Sequence, residues 1–191
     1  IMPHRNSISV CRRILQKRDD RKQGAENPPK NKNLKKDWRR RMKYCFGVDI
    51  GGTTVKMGLF AENGDIRDKW EIVTKTEDEG KAILPDVAAA ISGKMEEHHL
   101  TKEDIKGIGV GVPAPVTAEG VVNGSANLGW KYKEAKKELE ELTGMKATFG
   151  NDANVAALGE MWKGGGAGCK NLVMVTLGTG VGGGVIVGGK I

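Results

Sequence analysis

Residues 49–54 read DIGGTT: an acid, two glycines and two threonines set between an apolar run and a second one, VKMGLF. Two readings fit. As plain structure the stretch is a hairpin turn, since glycine tolerates positive φ and Gly-Gly pairs close hairpins. As chemistry it is a phosphate loop. Glycines let a ligand reach the backbone, exposed N–H groups and threonine hydroxyls donate to phosphate oxygens, and a nearby carboxylate holds hydrated Mg²⁺. On that reading Asp49 is the magnesium-side acid, directly or through water, and Gly51, Gly52, Thr53 and Thr54 face the phosphates. Lys56 either assists or is a solvated strand lysine.

A second glycine loop, GTGVGGG, begins at Gly178. Gly178, Gly180 and Gly183 satisfy G-x-G-x-x-G, but the dinucleotide fold needs a helix next, and VIVGGKI reads as a strand. Gly184–Lys190 nearly spells a P-loop, yet Ile191 stands where Ser or Thr is required. The protein-kinase loop pattern also fits Gly178–Val185, but that loop opens a kinase domain, and here it comes at the end of the chain. What survives is a glycine hairpin loop. It is either a turn or a clasp in which Thr179, Gly180, Gly182 and Gly183 offer donors to phosphate. Between the two loops lies GNDANVAALGE. Asp152 follows a short strand and precedes a helix, so its carboxylate is either a general base fixed by N-terminal backbone donors or a helix cap. Asn127 and Asn151 can each donate and accept, as recognition of neighbouring hydroxyls requires; their alternative is as turn residues.

The elements that must position these groups become legible at Tyr44. YCFGVDI, TVKMGLFA and IRDKWEIVT are three strands with short connections, an antiparallel meander. Over residues 80–98, Ile83, Leu84, Val87, Ala90, Ile91 and Met95 recur at spacings of three and four, predicting an amphipathic helix. IKGIGVGVPAPV is a buried strand and a proline-stiffened loop, residues 132–142 a charged helix, KATFG a short strand and residues 153–163 a helix. The order is βββαβαβα followed by a hairpin, an α/β arrangement with crossovers and a mixed sheet. His98 and His99, at the end of the first helix, carry no assigned function.

Charge divides the 191 residues. Residues 1–41 hold 14 Lys and Arg against 4 acids, and the remaining 150 hold 17 against 20. The basic leader is a disordered arm, a targeting segment, or an over-extended start with Met42 as initiator; the last is the reading adopted. Residues 42–163 form the principal domain and 164–191 begin a second. Three cysteines without metal or disulfide spacing fit a reducing cytoplasm, and no apolar run is long enough for a membrane span.

Taken together, FGVDIGGTTVKMGLF, GIGVGVPAPV, ANLGW, GNDANVAALGEMW and MVTLGTGVGGG resemble the ROK family of sugar kinases and related repressors, over Met42–Ile191. The resemblance implies an actin, hexokinase and Hsp70-like (ribonuclease H-like) first domain with a mixed five-stranded sheet, and the opening strands of a truncated second domain. It implies phosphorylation of a hexose by ATP with Mg²⁺, glucose to glucose 6-phosphate in glycolysis. Asp152 becomes the general base, Asn127 and Asn151 sugar contacts, and the two glycine loops the nucleotide clasp. Ala114 stands where the family often has glycine. The family continues with a zinc motif and further sugar-binding residues, so the resemblance implies an incomplete, inactive chain with no zinc ligand of its own and a homodimer for the whole protein. No nucleic-acid or membrane partner is expected. The contrasting class is a sugar-responsive transcriptional repressor, for whose winged helix-turn-helix the leader is too short and unpatterned.

Overall fold

A computed structural model describes residues 42–177 and 181–191. The predicted meander is present as β1 (Tyr44–Ile50), β2 (Thr54–Ala61) and β3 (Ile66–Val73), each antiparallel to the next. β4 (Ile105–Val112) then lies parallel to β1, and β7 (Ala147–Asn151) parallel to β4, giving a mixed five-stranded sheet of order β3-β2-β1-β4-β7. β1 and β4 are central and nearly continuously apolar, as strands covered on both faces must be. Phe46, Val48 and Ile50 point to one face, where they share a core with Ile83, Leu84, Val87 and Ile91 of α1 (Ile83–Glu97) and Leu139 of α2 (Ala135–Thr143). Cys45 and Phe60 point to the other face and meet Trp162 of α3 (Asp152–Lys163). The sheet is therefore sandwiched between helices.

Helix α1 keeps the predicted apolar spacing but begins at Ile83 rather than residue 80. Before it the backbone turns left-handed through Asp78 (φ 51°), Glu79 (φ 58°) and Gly80 (φ 65°). Only the last is a glycine, and each of the other two costs about 1 kcal/mol in that region. The helix ends with His99 left-handed (φ 53°); the amides of His99 and Leu100 close back onto the carbonyls of Glu96 and Met95, which satisfies two of the helix's last acceptors.

One element departs from the sequence expectation. Residues 122–133 form a small antiparallel ribbon, β5 (Val122–Ser125) and β6 (Trp130–Lys133), joined by a 3-10 turn at Ala126–Leu128. The charged helix read as starting at residue 132 starts at Ala135, because Tyr132 and Lys133 pair with Asn123 and Val122. The chain closes with the hairpin β8 (Leu172–Leu177) and β9 (Val181–Ile186), packed on α3 through Ile186, Leu172 and Met174.

Candidate active site at the carboxyl ends of β1, β4 and β7

Parallel register gathers the candidate residues at one end of the sheet. Asp49 in β1 is level with Gly111 in β4, and Gly111 with Gly150 in β7, so that Asn151 and Asp152 come immediately beyond. Ligands of open α/β sheets bind outside such carboxyl ends, where strand order reverses; here β1 and β4 run on to opposite sides. Gly111 lies between the two acids. A methyl group there would stand 3.6 Å from Asp49 Oδ1 and 3.7 Å from the Asp152 Cα, so its absence leaves a space between them.

Asp152 opens α3, with its Oδ1 accepting the Ala153 N–H at 2.8 Å. It is not the cap. Asn151 is, its Oδ1 accepting the amides of Ala153 (3.1 Å) and Asn154 (3.2 Å), while its Nδ2 lies 3.4 Å from the Ala114 carbonyl. Asp152 is thus half-buried at the positive end of a helix dipole, and the capping role that competed with chemistry belongs to its neighbour. This arrangement ties the proline-stiffened loop after β4 to the same helix start.

The first glycine loop joins β1 to β2 as a tight turn in which the Gly51 N–H donates to the Thr54 carbonyl at 3.0 Å. Gly52 and Thr53 are exposed and Gly51 and Thr54 half-buried, leaving the loop accessible to a ligand. Lys56 is half-buried and directly opposite Asp49 in the β1–β2 register. Asn127, exposed on the 3-10 turn, comes to the same place: a Cβ on Gly52 would lie 3.1 Å from the Asn127 carbonyl oxygen. From the second loop, a Cβ on Gly182 would lie 3.4 Å from Ala153 Cβ, so β9 reaches the first turn of α3. Gly183 sits opposite Val175 in the hairpin, without a contact to the acids. Thr179 and Gly180 lie outside the described residues. Thr74 is a site residue that sequence reading did not find. Its hydroxyl donates to the Gly51 carbonyl at 2.7 Å and its amide to the Thr53 carbonyl at 2.9 Å, a long-range link that no local pattern announces.

A cavity of 580 Å³ opens beside Asn151, lined by Pro115, Thr117, Lys136, Thr148 and Asn154 among others. Its walls include neither Asp49 nor Asp152, so the meeting place of the acids and not this cavity is the candidate reaction centre.

A mixed sheet of this order with a glycine turn after its first strand and acids at the switch point defines the actin and hexokinase-like class of fold. Residues 45–191 match the ROK family, and the chain belongs to it. A glucokinase of Halalkalibacterium halodurans is 45% identical over 150 residues, covering 78% of this chain and 46% of that protein. A ROK family glucokinase from Streptomyces griseus, solved with glucose and AMPPNP, superposes with a TM-score of 0.67 at 34% identity, over 77% of this chain and 45% of that one. A ROK family transcriptional regulator, homologous to an Escherichia coli protein, superposes at 0.65 over 77% of this chain and 37% of its own at 18% identity, a likeness of fold alone. The chain thus spans about half the length of the glucokinases it matches. Among the described residues no helix is long and apolar enough to cross a membrane.

Proposed function

We propose that this chain carries the catalytic base and the first phosphate loop of an ATP-dependent hexose kinase, with glucose as the preferred acceptor. The observation behind the reading is the side-by-side placement of Asp49 and Asp152 across the bare Cα of Gly111. Phosphoryl transfer to a hydroxyl needs a proton acceptor on the nucleophile's side and charge neutralisation on the phosphate's, held in line. In this assignment Asp152 takes the proton of the attacking hydroxyl. Asn151 fixes the helix start that carries Asp152 and, with its carbonyl oxygen already accepting two amides and one Nδ2 hydrogen directed at the Ala114 carbonyl, offers its second Nδ2 hydrogen to the sugar. Asn127 contributes from above Gly52.

On the donor side, Gly51, Gly52, Thr53 and Thr54 receive the phosphates, with Thr179, Gly180, Gly182 and Gly183 as the opposing clasp. Asp49 is a hard oxygen donor whose Oδ1 faces the space beside Gly111, which suits Mg²⁺ held directly or through water. That ion would supply neutralisation of phosphate charge. The glucose and AMPPNP bound to the Streptomyces griseus relative support this choice of substrates. ATP as donor and unpaired Cys45 and Cys169 fit a cytoplasmic enzyme. Turnover is assigned to the two halves together, since a kinase cleft is closed by two lobes that orient the reactants and exclude water.

The test uses a chimera in which residues 42–191 replace the 150 aligned residues of the Halalkalibacterium halodurans glucokinase. Asp152→Asn keeps size and most hydrogen bonding and removes the proton acceptor. Its kcat should fall by at least ~10²-fold while glucose still binds. Turnover near the parent level would reduce Asp152 to a first-turn helix acid.

A further inference from the structure

Residues Thr74–Gly80 touch both sides of the candidate site. At one end Thr74 is buried and hydrogen-bonded to the carbonyls of Gly51 (2.7 Å) and Thr53 (2.9 Å) in the phosphate-side loop. At the other end the Gly80 carbonyl accepts the indole N–H of Trp130 at 3.2 Å, inside the protein, and Glu79 pairs with Lys131 at 2.8 Å. Gly129 packs so closely on this segment that a Cβ there would lie 3.1 Å from the Thr76 carbonyl. Trp130 follows Asn127 by one short turn, and Asn127 lies back against Gly52. The contacts close a ring: glycine loop, Thr74 to Gly80, Trp130, Asn127, glycine loop.

The backbone inside this ring is unusual. Asp78, Glu79 and Gly80 are left-handed in succession, and a Cβ on Gly80 would fall 2.3 Å from the Leu128 carbonyl oxygen. Such a conformation persists only where its surroundings over-determine it, and here those surroundings are the Asn127–Lys131 ribbon. The segment spans from the DIGGTT loop to the Asn127–Lys131 ribbon and contacts both.

We propose that Thr74–Gly80 is a strap that couples the sugar-side asparagine to the phosphate loop, with Thr74 and Trp130 as positioning residues, so that hexose and nucleotide each tighten the binding of the other. The proposal rests on the kinase reading above for the identity of its ligands, but the mechanical link does not. Coupling of this kind is reciprocal: whatever factor the sugar exerts on the nucleotide, the nucleotide exerts on the sugar. Neither positioning residue is assigned to touch a reacting atom.

Two measurements test it. In the 191-residue chain, amide ¹H–¹⁵N spectra of Trp130→Phe, which keeps an aromatic ring and removes the N–H, should show shifts at Gly51, Gly52 and Thr53. Shifts confined to residues around the substitution would overturn the strap. Should Trp130→Phe lose its dispersed spectrum, Thr74→Val reads the link in reverse, at Asn127 and Trp130, with the same two outcomes. In the chimera, calorimetry of AMPPNP with and without glucose should give a coupling factor of about threefold or more, and either variant should bring it towards one. A chimera that binds neither ligand defeats the kinase reading and leaves the amide result to decide the strap. Binding of both ligands with the factor unchanged in both variants defeats the strap alone.

Discussion

Asp68, on β3, shows what a half-buried acid does away from the candidate site. Its Oδ2 lies 2.8 Å from Lys94 Nζ and 2.9 Å from His98 Nε2, and Lys94 also reaches Glu97 at 2.8 Å. Asp68, Glu97 and His98 together have the look of a metal triad, but the Lys94 ammonium already bridges its two carboxylates. Burial pushes the Asp68 carboxyl up, and the hydrogen bonds from His98, Lys94 and the Lys69 amide together outweigh it, bringing the pKa from 3.8 down to about 2. A depressed folded-state value stabilises the protein above the unfolded pKa and loses that contribution as pH falls through the folded one. The window is therefore from about pH 4 to about pH 2. Asp68→Asn should cost about 1–2 kcal/mol at neutral pH and flatten that acid limb in urea unfolding across the pH range; an unaltered acid limb would remove Asp68 from the account. At this scale the sequence singled out Asp49 and Asp152, which the register brings to the same end of the sheet. It was silent at Thr74, Gly111 and His98, whose roles depend on partners 23 or more residues distant or on strand register.

The elements were legible in proportion to their period and burial. β1, β2 and α1 stand where their apolar patterns put them, because the apolar positions that make the pattern are the ones buried in the core, while β3 at the sheet edge packs only Trp70 and Ile72 partly against it. The β5–β6 ribbon escaped notice. VNGS and WKYK are four residues each, too short for a period, and their pairing is set by Trp130 and Leu128 entering the core rather than by strand propensity. Helix α3 was foreseen, but its cap falls on Asn151, one residue earlier than Asp152, which shares only the Ala153 amide from the first helical position. β4 read simply as a buried strand, and the glycine that matters within it looked like any other. Gly111→Ala tests that element. Its methyl would make ordinary contacts of 3.6–3.8 Å with Asp49, Asp152 and Val155, so the fold should hold with little change in Tm. The same methyl stands between the acids, and kcat/KM of the chimera should drop by about tenfold or more. Full activity would mean that the space between Asp49 and Asp152 is not used.

At the scale of the molecule, one surface stands out. The β8–β9 hairpin packs one face on α3 and shows the other, with Val173 72% exposed, Val175 60%, Leu177 81%, Val181 80% and Val185 56%. The exposed face is apolar because strict alternation sends every second residue of both strands outward. Val173 and Val185 are register partners across the hairpin. This face should drive self-association of the 191-residue chain at tens of micromolar in sedimentation velocity, and lysine at both positions should shift it towards monomer without loss of helical signal; an unchanged sedimentation profile would show that the face drives no association. In the proposed reading Met42–Ile191 supplies one half of an ATP-dependent hexose kinase, with Asp152 set across Gly111 from Asp49. The most direct measurement is the turnover of the chimera on glucose and ATP. Glucose 6-phosphate should form above ~1 s⁻¹, ordinary for an enzyme; a folded, ligand-binding chimera that phosphorylates neither glucose, mannose nor N-acetyl hexosamines would overturn the kinase reading.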